Sequence, residues 1–570
     1  MKKNEEIATI FERIADILEL KGENIFKVRA YRRASEALLG MDEDLSSPER
    51  MEEMAGIEGI GKSMAGKIKE YLETGSIAKY KDLISDVPET LLPLLKIQGL
   101  GPRTIMAAFR ELGVRDLESL EKAVADGRLA ALPGMGEKKV ENIRMGIEMY
   151  KTGKERISIG LALPVAEEMM LPLRAVAEKV SLAGSARRMR ETVGDLDILA
   201  TCSDCSRAVD AFVSHPLVRK VNARGETKAS VIIGTYNLQV DLRVVAPESY
   251  GAALLYFTGS TAHNVKLRGR ARDMDLKVNE YGVFRGEEMV AGKREEDVYR
   301  ILGLQWIPPE IREDRGEIEA ALTGKVPELV RAEDIRGDIH THSNYSDGTN
   351  DIRTIALAAR DMGYGYVGIC DHSAASRIAG GMDEKKLVAR NEEIDEVNRE
   401  IRGIEVLKGI EVDILSDGRL DYPDRILEKL DFVIAAIHQG FRKDAAKRMK
   451  SAMDNPLVDI IAHPTGRLLS GRSGYDLDID EIIEYAAGKN VSLEINSHFD
   501  RLDLNDLNIL RARSAGARFL ISTDLHEAGM FANIRYGVGM ARRGWLTRKD
   551  VLNTYEWKDV PLRRRSKCCR

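Results

Sequence analysis

Cysteine is scarce, with five residues in a chain of 570. Cys202 and Cys205 form one CxxC-like pair with no second pair to complete a zinc site. Cys568 and Cys569 sit in a basic tail, PLRRRSKCCR. Neither a disulfide framework nor a structural zinc module is indicated. Long apolar runs are also missing: none approaches the roughly 20 residues that cross a bilayer, so no membrane partner is expected. The opening stretch, MKKNEEIATIFERIADILEL, carries acidic residues throughout and reads as an amphipathic helix, not a signal peptide. The cytoplasm is the expected location. An excess of basic charge is lacking too, since 86 Lys and Arg face 92 Asp and Glu for a net charge of −6. Any grip on nucleic acid must be local, through oriented amides and clustered Lys and Arg. What remains is the composition of a soluble globular protein, 44% hydrophobic and 31% charged. Its length asks for about three or four folded units.

The most informative stretch is 184–199, GSARRMRETVGDLDIL. It reads as a tight Gly-Ser turn, a short basic helical segment, and a strand beginning at Asp195. Side chains alternate along a strand, so Asp195 and Asp197 share a face. Another acidic residue, Asp241, interrupts the apolar run LQVDLRVV downstream. Close carboxylates repel unless cations sit between them, and oxygen ligands suit Mg²⁺ or Mn²⁺. Two such ions can clamp the attacking and leaving oxygens of an in-line phosphoryl displacement. A lone DxD is more often a solvated edge; the Gly-Ser prefix and the third Asp argue otherwise.

This pattern resembles the palm of the nucleotidyltransferase superfamily, and YFTGS at 256–260 narrows the resemblance to family X DNA polymerases. The resemblance implies that Ser185 and Arg188 hold the triphosphate of a dNTP, with Gly194 close by. It implies that Tyr256 and Phe257 pack near the sugar, and that Gly259, Asn264 and Arg268 complete the nucleotide pocket. Val193, where a serine is common, and Thr261, where an aspartate is common, depart from the family pattern.

Three short repeats precede the palm: IEGIGKSMAGKI (57–68), IQGLGPRTIMAAF (97–109) and LPGMGEKKVENI (132–143). Each places two glycines before a helix start, at Gly59 and Gly61, Gly99 and Gly101, and Gly134 and Gly136. Glycines allow a tight hairpin that presents backbone N–H groups to phosphate at a helix N-terminus. These are helix-hairpin-helix motifs, which hold the DNA backbone without reading sequence. The first eighty residues resemble the family's lyase domain. By that resemblance Lys67 falls at the position of the Schiff-base lysine, and Lys27 and Tyr31 match the pocket for a 5′-phosphate. A plain phosphate contact by Lys67 is the alternative reading.

From 334 onward the composition changes, and seven of the nine histidines lie there. Apolar strand-like runs recur between helical stretches, among them GDIHTH, YVGICDH, IEVLKGIE, DFVIAAIH, VDIIAH, VSLEIN and RFLISTDLH. Each ends in residues of metal-ligand type, the mark of a β/α barrel with its site on the C-terminal face. This set resembles the PHP (polymerase and histidinol phosphatase) domain, which implies up to three metals, Mn²⁺, Zn²⁺ or Fe²⁺. By motif, His340, His342, Glu411 and Asp524 hold one; Glu411 bridges to a second with His438 and His463; Asp347, His372 and His526 hold the third. His498 and Asn496 match no ligand position, and His215 and His263 read as unrelated to metal.

The expected architecture is multidomain: an all-α helix-hairpin-helix region, an α+β nucleotidyltransferase palm and an α/β distorted (β/α)7 PHP barrel. The boundaries are 1–80 for the lyase-like domain and 81–150 for the second and third hairpins. The palm follows at 151–246, a nucleotide-selecting subdomain at 247–315, a linker at 316–333 and the barrel at 334–570. The expected function is short-gap filling in base-excision repair, on gapped or nicked double-stranded DNA with a 5′-phosphate, by a monomer. A 3′→5′ exonuclease or 3′-end processing activity would reside in the barrel, with abasic-site processing by lyase or endonuclease action. A repair nuclease or phosphatase whose polymerase half mainly binds DNA is the alternative. A non-enzymatic scaffold built on the hairpins would leave two complete ligand sets unexplained.

Overall fold

Ile7, Phe11, Ile14 and Leu18 recur at helical spacing along Lys3–Leu20, and all are buried. Such a stripe drives an amphipathic helix onto its neighbours, and each buried side chain contributes about 1.5–3 kcal/mol. A computed structural model describes residues 3–39 and 60–564, apart from 98, 134, 137–138, 141–142, 145, 148–155, 442–443, 470 and 473. The chain divides into two compact units, Met1–Glu155 and Arg156–Arg570. No described helix is long and apolar enough to cross a membrane.

The first unit is helical. Lys62–Thr74 begins at extended Gly61 and stops at Gly75, whose φ of +68° suits glycine. Pro102–Leu112 repeats the plan, from extended Gly101 through Pro102 to Gly113 at φ +69°. Among the described residues, nothing lies within 4 Å of the Cβ position at Gly61 or Gly101, so those backbones stand open. Gly136 begins a third helical turn, accepting from the Val140 N–H at 3.2 Å. Gly59 and Gly134 lie outside the described residues.

The second unit opens with a five-stranded sheet in the order Lys179–Leu182, Asp195–Thr201, Gln239–Val244, Lys228–Ile233, Val218–Arg224. Leu196 and Ile198 alternate with Asp195 and Asp197 and pack beneath helices Ile159–Arg174 and Cys205–Val213. Helices Tyr250–Thr258 and Thr261–Asp273 then lead to a small antiparallel sheet and to helix Glu295–Ile301. Residues 316–333, expected as a linker, are partly folded into this subdomain. Helix Glu317–Leu322 buries Ile318 and Ala321 in its core, and buried His263 donates to Glu317 at 2.7 Å. Charged composition suggested a tether because it cannot reveal that Glu317 has buried partners.

The strands paired in sheets from Gly337 onward are all parallel. Gly337–Thr341, Tyr366–Ile369 and Glu405–Lys408 form one arc; Glu411–Asp413, Ile434–Ala436, Ile460–Ile461, Ser492–Asn496 and Phe519–Ser522 form the other. Single bridges, His372 to Glu411 and Thr341 to Leu525, join the arcs into a barrel. Phe432 fills its centre with Ile339, Leu407, Ile434 and Leu520. The expected IEVLKGIE strand breaks at Gly409, where a Cβ would fall 2.0 Å from the Phe432 ring. Helix Ile534–Arg543 carries the barrel onto the palm, where Arg535 pairs with Glu167 at 2.8 Å and Tyr536 Oη donates to the Gly160 carbonyl at 3.2 Å.

Candidate active sites

In the palm, the strands carrying the aspartates run parallel, with Asp197 opposite Asp241 and Asp195 opposite Gln239. Registered parallel partners point the same way, so all three half-buried carboxylates share one face. Gly184 turns at φ +63°, and a Cβ there would sit 2.3 Å from Asp197 Oδ2. The glycine of the Gly-Ser turn therefore lets backbone press against a carboxylate. Gln239, which the sequence reading passed over, donates its amide to both Asp241 oxygens at 3.1 and 2.9 Å.

Ser185 follows on a half-buried turn, and Gly194 is buried just before Asp195. Arg188 is not free at the surface. It donates to the Thr258 carbonyl at 2.5 Å and to Glu313 at 3.1 Å, bracing the YFTGS turn from beneath. Arg187 reaches Thr258 Oγ1 and both oxygens of Glu295, each at 2.7 Å. Asn264 Nδ2 donates to the Tyr256 carbonyl at 2.8 Å, while its buried Oδ1 has no hydrogen-bond partner among the described residues. Tyr256 and Phe257 meet edge to face, and the Arg243 guanidinium lies 4.5 Å from the Phe257 ring centroid. Arg268 is exposed one helical turn beyond Asn264.

In the first unit, Lys67 donates to Ser63 Oγ at 2.9 Å and lies 5.7 Å from the Tyr31 ring centroid. Those two expected neighbours thus meet. Exposed Lys27 instead pairs with Glu23 at 3.1 Å.

The barrel gathers all nine expected ligands into one cluster, in which Glu411 opens its strand and Asp347 comes from the loop after Gly337–Thr341. Glu411 is the hub. Its Oε1 lies 3.0 Å from His463 Nε2, 3.3 Å from His438 Nε2 and 3.6 Å from His340 Nε2; its Oε2 lies 2.9 Å from His372 Nδ1. Asp524 Oδ1 is 3.1 Å from His342 Nε2 and 3.5 Å from His340 Nε2. Asp347 Oδ2 is 3.3 Å from His526 Nε2 and 3.5 Å from His372 Nε2. His342 and His372 therefore stand between groups that the sequence reading kept apart, and the buried Cys370 thiol lies beside His340 and His342.

Second carboxylates orient the imidazoles. His340 Nδ1 is held by Glu494, which also accepts from Ser522 Oγ at 2.6 Å and from the His463 N–H at 2.6 Å. His438 Nδ1 contacts Asp413 at 3.0 Å. Such pairing fixes which ring nitrogen faces a metal. Glu494 and Asp413 were not singled out in the sequence, though the lone acid inside VSLEIN and the second acid of GIEVDI are their signals. Buried atoms without hydrogen-bond partners among the described residues include His340 Nε2, His342 Nδ1, His463 Nδ1 and Glu411 Oε2. Orphaned nitrogen and oxygen donors converging at this spacing fit divalent cations. Burial opposes charge on His372 and His438, yet Glu411 outweighs it and lifts them to about 10 and about 9. Burial and the neighbouring His372 and His526 instead push His342 down to about 4.

Sequence comparisons agree with this layout. A helix-hairpin-helix domain matches residues 2–77, a SAM-like helix-hairpin-helix tandem 91–149, a DNA polymerase beta thumb 253–313 and a PHP domain 338–498. The DNA polymerase/3′-5′ exonuclease PolX of Bacillus subtilis is 41% identical over 563 residues, 97% of this chain and 98% of that protein. The chain belongs to the family X DNA polymerases that carry a C-terminal PHP domain. DNA polymerase lambda of Rattus norvegicus is 28% identical over 343 residues, 54% of this chain and 56% of that protein. A probable phosphatase of Clostridium acetobutylicum is 33% identical over 180 residues, 29% of this chain and 71% of its own length. As a family X polymerase with a PHP domain, the chain is an enzyme that handles DNA and nucleotides and carries a metal-dependent phosphoesterase domain. Both modules imply divalent metals.

Proposed function

We propose that the palm fills short gaps in DNA and that the barrel trims or cleans 3′ ends, in base-excision repair. The observation that carries the reading is the Asp197–Asp241 register with Asp195 on the same face. Asp195, Asp197 and Asp241 would hold two Mg²⁺ or Mn²⁺, which supply charge stabilisation to the attacking and leaving oxygens of phosphoryl transfer. Asp241 takes the proton of the primer 3′-OH, and the Gln239 amide holds the orientation of that carboxylate. Ser185, Arg188 and Gly194 face the triphosphate, and Tyr256, Phe257, Gly259, Asn264 and Arg268 surround sugar and base. Arg188 acts partly through the turn it braces.

The open hairpin backbones at Gly61 and Gly101 receive DNA phosphates. Lys27, Tyr31 and Lys67 serve a downstream 5′-phosphate, with Lys67 as Schiff-base lysine in the lyase reading. In the barrel the nine ligands would hold up to three Mn²⁺, Zn²⁺ or Fe²⁺. Glu494 and Asp413 keep the His340 and His438 rings aimed, and the buried walls exclude bulk water. The protein acts as a cytoplasmic monomer on gapped or nicked duplexes with a 5′-phosphate. Phosphomonoester hydrolysis is a second reading for the barrel, favoured by the similarity to a probable phosphatase.

The test is a one-nucleotide-gap assay with Mg²⁺ or Mn²⁺, with and without dNTPs. Extension is expected to vanish in Asp241→Ala alone, and 3′ trimming in His342→Ala alone. Extension surviving Asp241→Ala would overturn the palm assignment, and trimming surviving His342→Ala would overturn that of the barrel.

A further inference from the structure

The mouth of the barrel carries a feature that the metal ligands leave unused. Three residues beyond His438, Phe441 stacks on Tyr475 with ring centroids 5.6 Å apart and planes within 16°. The Arg472 guanidinium lies 4.5 Å from the Phe441 ring centroid. All three side chains are only half-buried.

The stack is built into the fold. Tyr475 Oη donates to the Ile437 carbonyl at 2.7 Å, one residue before ligand His438. Its ring lies against Gly466 at φ +63°, where a Cβ would fall 2.3 Å from a ring carbon. Arg448 donates to the carbonyls of Gln439 at 2.9 Å and Gly440 at 3.3 Å, fixing the loop that leads to Phe441. Arg472 Nε donates to the Gly466 carbonyl at 3.0 Å. Among the described residues, no carboxylate lies within ion-pair distance of Arg472. Arg501 joins this mouth to the metal cluster: its Nε is 3.4 Å from Asp524 Oδ2, and its charge bears on Arg472 and Tyr475.

A small phosphomonoester has no use for an aromatic stack, whereas a nucleobase does. Bases of single strands stack on aromatic rings and on guanidinium planes, and cations attract the adjoining phosphates. We propose that Phe441, Tyr475 and Arg472 form a platform for the last base of an unpaired 3′ strand, with Arg472 and Arg501 facing the phosphate beside it. The proposal rests on the nuclease reading of the barrel and assigns the residues that hold the terminal base of its substrate. A paired terminal base must leave the duplex stack to reach the platform, which costs least at a mismatch.

The experiment measures Mn²⁺-dependent shortening of a 5′-labelled single-stranded oligonucleotide, and of the same oligonucleotide ending in a base-free nucleotide. Wild type is compared with Phe441→Ala, Phe441→Trp and Arg472→Met, with melting temperatures recorded. On the base-bearing end, KM is expected to rise roughly tenfold in Phe441→Ala, with kcat within about twofold and recovery in Phe441→Trp. Arg472→Met should raise KM in the same way. Removing the terminal base should raise the wild-type KM to a similar extent, and Phe441→Ala should then add little more. An unchanged KM in folded Phe441→Ala and Arg472→Met would overturn the platform while leaving the nuclease reading intact. An equal penalty on base-bearing and base-free ends would do the same. Failure of the wild type to shorten either oligonucleotide would remove both.

Discussion

Arg543, on a helix of the barrel, donates to Glu313 at 2.9 Å, and the same carboxylate receives Arg188 of the palm at 3.1 Å. Arg543 also donates to the Arg188 carbonyl at 2.7 Å and to Asp506 at 2.5 Å. Burial by itself would raise the Glu313 carboxyl, but Arg543 and Arg188 hold it at about 2. The barrel thereby supplies a brace for the YFTGS turn that Arg188 holds. Removing one partner of a buried ion pair costs about 3–5 kcal/mol. Arg543→Met should lose about that much in denaturant unfolding and should raise the KM for dNTP. Arg543→Lys should recover part of each, because a point charge cannot serve three acceptors in a planar fork.

Glu295 sets an acid limit on the same region. Burial would push its carboxyl up, but Arg312 and Arg187 bring it down to about 2 from an ordinary 4.5. The folded state then binds fewer protons than the unfolded one. Its stabilising contribution is complete above about pH 4.5 and disappears as pH falls toward 2. Thermal unfolding midpoints should drop across that window. Glu295→Gln should start from a lower midpoint at neutral pH and show a flatter acid slope.

Glu494 tests the barrel without replacing an expected metal ligand. Its carboxylate holds the His340 ring and the His463 backbone together. Glu494→Gln should weaken metal affinity about 10–100-fold, read by chelator competition with elemental analysis. Trimming should fall in proportion while primer extension persists.

Gly184 tests the palm. An alanine there would suffer both the positive φ and a Cβ placed 2.3 Å from Asp197 Oδ2. The backbone cost alone is about 1–2 kcal/mol. Gly184→Ala should reduce kcat for extension by displacing the carboxylate, and 3′ trimming should be unaffected.

Much of this was legible in the chain because it depends on local spacing. Strand alternation puts Asp195 and Asp197 on one face whatever surrounds them, and histidines clustered at the ends of apolar runs mark a metal site. The paired glycines before Lys62–Thr74 and Pro102–Leu112 likewise announce their turns. The tertiary structure decided everything that depends on partners distant in sequence. It placed Glu494 behind His340 and drew helix Glu317–Leu322 into a core beside the His263–Glu317 pair. It also tied Arg188 to Glu313 and Arg543, 125 and 355 residues away in the chain. A guanidinium or carboxylate has the same chemistry wherever it occurs in a sequence. Burial and the identity of its partner decide whether it meets substrate, holds a ligand or braces a turn, and those arise only when distant segments pack together.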